Sequence, residues 1–178
     1  MRGKCAALIV RLAGNPRGGG YAGQMARTLV TGMSGVGKST LLAELARRGH
    51  DTVDTDYGDW ESPIGFWDET RMAALLERER DVVVSGTVTN QGAFYDRFEY
   101  VVLLSAPVEV LIARVSTRTN NPYGRAAEEQ TEIRKYFVEV EPLLRTGATI
   151  ECGSADNRAR DTQGLPDAVI ESCGGDGE

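Results

Sequence analysis

One short stretch constrains this chain more than any other. Residues 32–40 read Gly-Met-Ser-Gly-Val-Gly-Lys-Ser-Thr, which matches the pattern G-x-x-x-x-G-K-[ST] of a phosphate-binding loop. Glycines allow backbone torsions that other residues avoid, so successive N–H groups can point inward at a phosphate. The N-terminus of the following helix adds partial positive charge at the same place. The residues predicted to bind the nucleotide are Gly32, Met33, Ser34, Gly35, Val36, Gly37, Lys38, Ser39 and Thr40.

Two side chains of this loop have predicted roles of their own. Lys38 carries a mobile positive charge for the outer phosphates and is predicted to be catalytic, and the Ser39 hydroxyl is a predicted ligand for Mg²⁺. An apolar strand over residues 26–31 precedes the loop, and an amphipathic helix follows it and ends at Gly49. Strand, loop and helix in this order are what the motif requires. The sequence therefore predicts ATP and Mg²⁺ as cofactors.

The overall composition excludes several classes of function. With 178 residues the chain is long enough for one domain with a substantial core, and its net charge of −6 argues against broad binding to nucleic acid or to an anionic membrane. The three cysteines are widely spaced, which suggests neither a disulfide framework nor a zinc site and favours the reducing cytoplasm. Because His50 is the single histidine, we expect no Ser-His-Asp triad, Cys-His pair or multi-histidine metal site to be built from this chain alone. We expect His50 on the surface, since it follows a helix-ending glycine.

The order of predicted elements indicates an α/β fold. Strands alternate with helices from residue 25 to residue 172, which predicts a three-layer P-loop domain with a parallel sheet of five strands flanked by helices. The pattern also predicts one long helix that ends near Arg145 and is kinked at Pro142, and a terminal helix near residues 165–171. Residues 1–24 are predicted to be a disordered extension and residues 173–178 a frayed tail.

A pair of carboxylates follows the second predicted strand. Asp54 and Asp56 alternate along an extended backbone and so point to the same side. We predict that Asp54 helps Ser39 to hold Mg²⁺ and that Asp56 orients or deprotonates an acceptor hydroxyl. The strand at residues 82–84 ends in Ser85 rather than in the carboxylate of a Walker-B ATPase, and the Asn-Lys-x-Asp motif of GTPases is absent from the sequence.

A group of arginines surrounds a break in the helical pattern at residues 120–124. Arg114 and Arg118 lie four residues apart and share one side of a predicted helix, and Arg125 follows the break. We predict a lid near residues 118–126 that closes over ATP, with Arg114 and Arg118 as catalytic residues that stabilise phosphate charge.

Other residues leave alternatives open. The aromatic residues Trp60, Phe66 and Trp67 line a substrate pocket or form part of the core. Arg134 contacts an acidic group of the substrate or forms an ion pair at the surface.

The phosphate-binding loop together with Asp-Thr-Asp at residues 54–56 resembles shikimate kinase and the wider group of small P-loop kinases, which includes gluconate kinases and nucleoside monophosphate kinases. The resemblance in architecture covers roughly residues 27–170 and implies the sheet order 2-3-1-4-5. It implies that Asp54 lies near Mg²⁺, that Asp56 binds the substrate hydroxyl and that Arg114 lies beside adenine.

The chain also departs from the pattern of the shikimate kinases. Ser85-Gly86-Thr87 stands where they have three glycines, and Asn121 stands where they have the lid arginine, so Arg118 or Arg125 has to substitute for it. No arginine-rich segment between Tyr57 and Asp68 corresponds to the one that grips the shikimate carboxylate.

Taken together, these features predict an enzyme, an ATP-dependent phosphotransferase acting on a hydroxyl of a small metabolite. We expect a cytoplasmic monomer or homodimer with no nucleic-acid or membrane partner. One alternative is a P-loop ATPase or switch protein without a small-molecule acceptor. Another is a nucleotide kinase whose acceptor is a phosphate.

Overall fold

A computed structural model describes residues 26–119 and 121–153 of the chain. Within them the five strands are β1 (Arg27–Thr31), β2 (Thr52–Asp54), β3 (Val82–Ser85), β4 (Tyr100–Ser105) and β5 (Ile150–Gly153). The predicted extension at 1–24, the helix near 165–171 and the tail at 173–178 lie outside the described residues and stay predictions.

The strands form one parallel sheet in the order β2-β3-β1-β4-β5. Leu29 in the central strand β1 lies opposite Val84 of β3 and Val101 of β4. All three side chains are buried, as is typical of a parallel sheet covered on both faces. The predicted fold class and strand order are confirmed.

Helices connect successive strands and cover the sheet. They are α1 (Lys38–Arg47), α2 (Glu69–Arg78), a 3₁₀ helix (Gln91–Arg97), α3 (Val108–Thr117), α4 (Ala127–Glu139) and α5 (Glu141–Gly147). The side chain of Asp68 caps α2 by accepting a hydrogen bond from the backbone N–H of Arg71. Such caps satisfy amide groups that have no partner within the helix.

Two apolar clusters lie on opposite faces of the sheet. On one face, Val30 and Val83 pack with leucines of α1 such as Leu45. On the other face, Val84 packs with α2 and with Trp67. Alternate residues of each strand thus pack against helices on opposite faces of the sheet. Because β2, β3 and β1 are neighbours in the sheet, their carboxyl ends lie beside one another.

Two local predictions were wrong. His50 is buried, with only 6% of its surface exposed, because Gly49 adopts a positive φ of 96° and returns the chain toward the sheet. The long helix predicted to end near Arg145 is two helices, α4 and α5. They meet at Val140, and Pro142 lies in the first turn of α5, where its missing N–H is not needed.

Candidate active site

The phosphate-binding loop joins β1 to α1 and has the backbone that its sequence predicts. Gly32, Gly35 and Gly37 have φ values of 144°, 87° and 109°, which residues other than glycine rarely adopt. A Cβ atom on Gly32 would clash with the carbonyl oxygen of Leu104 in β4. Glycine is therefore required at Gly32 both for the turn and for the close approach of the neighbouring strand.

Lys38 begins α1 and is buried beneath the loop. Its Nζ donates a hydrogen bond of 2.7 Å to the carbonyl oxygen of Gly32. Burial lowers the pKa of Lys38, and the nearby carboxylates of Asp56 and Asp54 oppose that shift. The structure thus brings the predicted catalytic lysine and both predicted acidic residues into one electrostatic environment.

The two acidic residues, Asp54 and Asp56, are positioned by the chain at the end of β2. Thr55 points to the core, where its Oγ1 donates to the carbonyl oxygen of Ser85 at 2.8 Å and accepts from Nε1 of Trp67 at 3.0 Å. Asp54 ends β2, whereas Thr55 and Asp56 lie in the turn that follows, in which the backbone N–H of Tyr57 donates to the carbonyl oxygen of Asp54 at 3.3 Å. The prediction of an extended backbone through Asp56 was therefore wrong. The backbone N–H of Asp56 donates to Oδ1 of Asp54 at 3.3 Å.

Asp56 has a pKa shift that suits a base. Asp56 is exposed, yet desolvation of its carboxyl group by the surrounding protein raises the pKa. Lys38 and Arg118 oppose the shift, whereas Asp54 and Glu61 reinforce it. A carboxylate with a raised pKa accepts a proton more readily than an ordinary one.

The surroundings of Asp54 fit a magnesium ion. Ser85 lies opposite Asp54 in the pairing of β2 with β3, so both side chains are on the same face of the sheet. The Ser85 hydroxyl is fully buried and has no hydrogen-bond partner among the described residues. Ser39, Asp54 and Ser85 are the polar groups that would hold Mg²⁺ and its water molecules, since Mg²⁺ in such sites takes one or two protein ligands together with phosphate oxygens.

Two of the predicted arginines contact the phosphate-binding loop. Nη1 of Arg114 donates to the carbonyl oxygen of Val36 at 3.1 Å. Nη2 of Arg118 lies 3.3 Å from Oγ of Ser34. Arg125 instead donates to the carbonyl oxygen of Arg118 at 2.5 Å, so it supports the backbone of the arginine that contacts the loop.

Residues 121–124 of the segment predicted as a lid are bonded to Arg118 at the end of α3 and to Glu129 of α4. Arg118 also donates to the carbonyl oxygens of Asn121 and Tyr123, at 3.2 and 2.8 Å. The carboxylate of Glu129 accepts from the backbone N–H of Gly124 at 2.8 Å. These bonds hold Arg118 over the tip of the loop.

The structure decides between the alternatives left open for two other residues. Trp67 belongs to the core, with 1% of its surface exposed and its ring edge-on to Phe94. Arg134 forms an ion pair with Glu109 through two hydrogen bonds of 2.5 and 3.0 Å. Of the remaining aromatic residues, Phe66 is exposed, and Trp60 lies beneath the guanidinium of Arg71.

Thr87 was missed as a residue of the site. Its Oγ1 donates to the carbonyl oxygen of Gly32 at 2.9 Å, the same oxygen that Lys38 contacts. The backbone N–H of Gly32 lies 3.3 Å from the same Oγ1. The sequence could have predicted this role from the position of Thr87, two residues after the end of β3, because polar residues at the carboxyl ends of parallel strands meet at one edge of the sheet.

Comparison with known proteins agrees with this geometry. The family model of the AAA domain matches residues 29–135, more than half of the chain. The chain belongs to the AAA domain family. The match to this AAA domain begins in β1 and includes the phosphate-binding loop, both acidic residues and all three arginines of the site. No curated protein matches the chain.

Two solved structures resemble this AAA domain protein in fold. One is titled shikimate kinase from Acinetobacter baumannii in complex with shikimate, with a TM-score of 0.55, 19% identity, and coverage of 84% of this chain and 89% of that one. The other is shikimate kinase from Bacteroides thetaiotaomicron, also with a TM-score of 0.55 and 19% identity, covering 83% of this chain and 93% of that one. The chain is a P-loop NTPase with the architecture of these kinases. Within residues 26–119 and 121–153, no helix is both long and apolar enough to cross a lipid bilayer.

Proposed function

We propose that this protein transfers the γ-phosphate of ATP to a hydroxyl group of a small metabolite. The observation that supports this most is the position of Asp56, a carboxylate just after β2 that interacts electrostatically with the P-loop lysine Lys38. A P-loop alone binds phosphate, whereas transfer to an alcohol also needs a group that orients the hydroxyl and takes its proton.

The phosphate side of the site is assigned to groups that neutralise charge. Backbone N–H groups of residues 32–40 bind the phosphates, and Lys38 and Arg118 stabilise the charge that develops on the transferred group. Arg114, which the resemblance to small P-loop kinases would place beside adenine, donates to the carbonyl of Val36 in the loop. Ser39 and Asp54 hold Mg²⁺, which supplies further positive charge at the phosphate oxygens when it is bound.

In the proposed transfer, one phosphorus–oxygen bond forms, another breaks, and Asp56 takes the proton that is released. The acceptor oxygen attacks the γ-phosphorus, and the bond from that phosphorus to the oxygen bridging it to the β-phosphorus breaks, so that ADP leaves. The proton of the acceptor hydroxyl passes to the carboxylate of Asp56 and then to solvent. Arg118 helps to exclude water above the loop, because hydrolysis would otherwise compete with transfer.

Replacing Asp56 tests this assignment. Asp56→Asn keeps the shape of the side chain but removes its ability to take a proton, so we expect kcat for acceptor-dependent ADP release to fall by about 10²-fold or more, with the affinity for ATP unchanged. The matched control is Asp51→Asn, which removes an exposed carboxylate just before the opposite end of the same strand. ADP release is measured with Mg²⁺, ATP and a panel of hydroxylated metabolites.

The outcomes separate the proposed kinase from its alternative. Transfer by Asp56→Asn at the wild-type rate would remove Asp56 from the mechanism. ADP release that no added alcohol stimulates would instead support an ATPase or switch protein.

A further inference from the structure

We propose that Thr87 is a positioning residue for Lys38, and that its hydroxyl group fixes the carbonyl group of Gly32 to which the lysine ammonium is bonded. This inference rests on the proposed function, since it concerns the lysine that this function assigns to the outer phosphates of ATP. It follows from the hydrogen bonds between the start of the phosphate-binding loop and the loop after β3, which we define as residues 86–90.

The carbonyl group of Gly32 holds the Lys38 ammonium in place. Nζ of Lys38 donates to the carbonyl oxygen at 2.7 Å, and the lysine side chain is buried. An ammonium group has three N–H donors, so the bond made by one of them limits the directions of the other two. Glycine has the widest choice of backbone torsions. The direction of the Gly32 carbonyl group, and with it that of the ammonium, therefore depends on further partners.

Thr87 bonds to both polar groups of the Gly32 backbone. Its Oγ1 donates to the carbonyl oxygen at 2.9 Å and accepts from the N–H group at 3.3 Å. Rotation of either peptide group of Gly32 would break one of these bonds. A β-branched side chain such as that of threonine has few favourable rotamers, so Oγ1 is restricted from following a carbonyl group that turns away.

The backbone is fixed on both sides of Thr87. The N–H group of Gly86 donates to the carbonyl oxygen of Val30 in β1 at 3.2 Å. The N–H group of Val88 donates to Oε1 of Gln91, the first residue of the 3₁₀ helix, at 3.2 Å. The hydroxyl group of Thr87 is therefore presented to Gly32 from a backbone that is held in place.

A buried chain of hydrogen bonds continues behind Thr87. Its bond to the carbonyl oxygen of Gly32 uses its single hydroxyl proton. Thr31 is therefore the donor in the 3.2 Å contact between the Oγ1 atoms of Thr31 and Thr87. Nε2 of Gln91 in turn lies 3.3 Å from Oγ1 of Thr31. Thr31 and Gln91 are only 0% and 2% exposed, so water does not compete for these bonds.

The Thr87 hydroxyl has no capacity left to bind a substrate. A hydroxyl group has one proton and two lone pairs. The proton goes to the carbonyl oxygen of Gly32, and the lone pairs accept from the N–H group of Gly32 and from Thr31. Thr87 therefore acts through Lys38 and not on the acceptor.

Hydrogen exchange of the Lys38 ammonium with water tests this role. The chain has three lysines, few enough for ¹⁵N NMR of the full chain to resolve their ammonium groups, and Lys38→Met identifies the signal of Lys38. We expect this signal to exchange slowly in the wild type. Thr87→Val keeps the shape of the side chain but removes the hydroxyl, so the exchange should become at least about tenfold faster.

Binding of Mg²⁺-bound ATP, measured by calorimetry, is the second readout. We expect the affinity to fall by about tenfold in Thr87→Val, as the loss of a hydrogen bond to the group that positions the lysine predicts. A purely structural role would lower the Tm but leave the exchange of the Lys38 ammonium unaltered.

Three further variants separate the hydroxyl group from the shape of the side chain. Thr87→Ser keeps the hydroxyl and should retain wild-type exchange and affinity. Thr87→Ala should behave like Thr87→Val, and it decides the test if Thr87→Val does not fold. Thr89→Val changes an exposed threonine of the same loop and should leave both measurements unchanged.

Several results would overturn the inference. They are wild-type exchange or wild-type affinity in the variants that lack the hydroxyl, and an equal loss in Thr87→Ser or in Thr89→Val. A wild-type protein that does not bind ATP, or whose Lys38 ammonium exchanges as fast as that of the exposed Lys135, would also overturn it. Failure of the proposed function is distinct, because neither measurement needs an acceptor. That failure would appear as ADP release that no added alcohol stimulates.

Discussion

At the residue scale, the carbonyl group of Gly32 links three parts of the site. It accepts hydrogen bonds from Lys38 at the start of α1 and from Thr87 after β3, and Gly32 itself packs against Leu104 of β4. The motif G-x-x-x-x-G-K-[ST] predicts the lysine and the glycine, because it is a local pattern. The contact with Thr87 joins residues 55 positions apart, and local patterns carry no information about such pairs.

His50 shows a second limit of local reasoning. A histidine after a helix-ending glycine is expected at the surface, but here the backbone N–H of His50 bonds back to Leu45 of α1 and its ring is buried. Neither ring nitrogen has a hydrogen-bond partner within the described part of the chain. Burial lowers the pKa of His50, and the nearby Asp81 opposes the shift.

This burial makes the stability depend on pH. In the folded protein His50 stays neutral at pH values where the unfolded chain, with a pKa of about 6.5, already binds a proton. Because the unfolded state then holds more protons, the free energy of unfolding falls as the pH drops below about 6.5. Carboxyl groups with a raised pKa, such as those of Asp81 and Glu141, act in the opposite direction.

Thermal unfolding of wild type and His50→Gln between pH 5 and pH 8 isolates the contribution of the histidine. The chain has one histidine, so the variant should show a Tm that falls less steeply toward low pH, with the other titrating groups unchanged. Equal slopes in the two proteins would mean that His50 does not titrate differently on folding.

At the element scale, the segment predicted as a lid packs closely against α3 at one glycine. Gly124 has a φ of 93°, and a Cβ atom there would lie 2.6 Å from Cβ of Val115. Both the backbone torsion and the clash oppose any larger residue at this position. The sequence predicts a break here from Asn-Pro-Tyr-Gly but not the neighbour against which the break packs.

Gly124→Ala should therefore destabilise the domain by about 2 kcal/mol. The control is Gly92→Ala in the 3₁₀ helix, where a Cβ atom would meet no atom within 4 Å and the φ is ordinary. Urea unfolding followed by circular dichroism measures both variants. Equal free energies of unfolding for the two would show that the contact with Val115 is not restrictive.

The same element separates the two arginines that are candidates to act on the phosphates. Arg118 contacts Ser34 of the loop, whereas the side chain of Arg125 donates to the backbone carbonyl of Arg118. We expect Arg118→Ala to lower kcat by about 10²-fold or more, as loss of a charge-stabilising group does. Arg125→Ala should lower kcat by less than about tenfold, since it removes a hydrogen bond to the backbone of Arg118 but leaves the contact between Arg118 and Ser34 in place.

Steady-state ADP release at saturating ATP compares these two variants. A larger loss in Arg125→Ala than in Arg118→Ala would assign the phosphate contact to Arg125 instead.

At the scale of the whole molecule, the order of elements carried most of the information about the fold. Alternation of apolar strands with amphipathic helices predicts a parallel α/β sheet, and the phosphate-binding loop places β1 at its centre. The resemblance to small P-loop kinases gave the strand order that the structure confirms. The placement of residues 57–67 followed less from sequence, because Trp67 is joined to Thr55 after β2 and to Asn90 after β3 by long-range hydrogen bonds rather than by a motif.

The proposed phosphotransfer requires that the phosphate-binding loop bind Mg²⁺-bound ATP, and isothermal titration calorimetry of the full chain measures this directly. We predict one ATP per chain, much weaker binding when Mg²⁺ is chelated, loss of binding in Lys38→Ala, and wild-type binding in Lys135→Ala, which changes an exposed lysine of α4. Absence of Mg²⁺-dependent binding of any nucleoside triphosphate, or equal affinity in wild type and Lys38→Ala, would contradict the account.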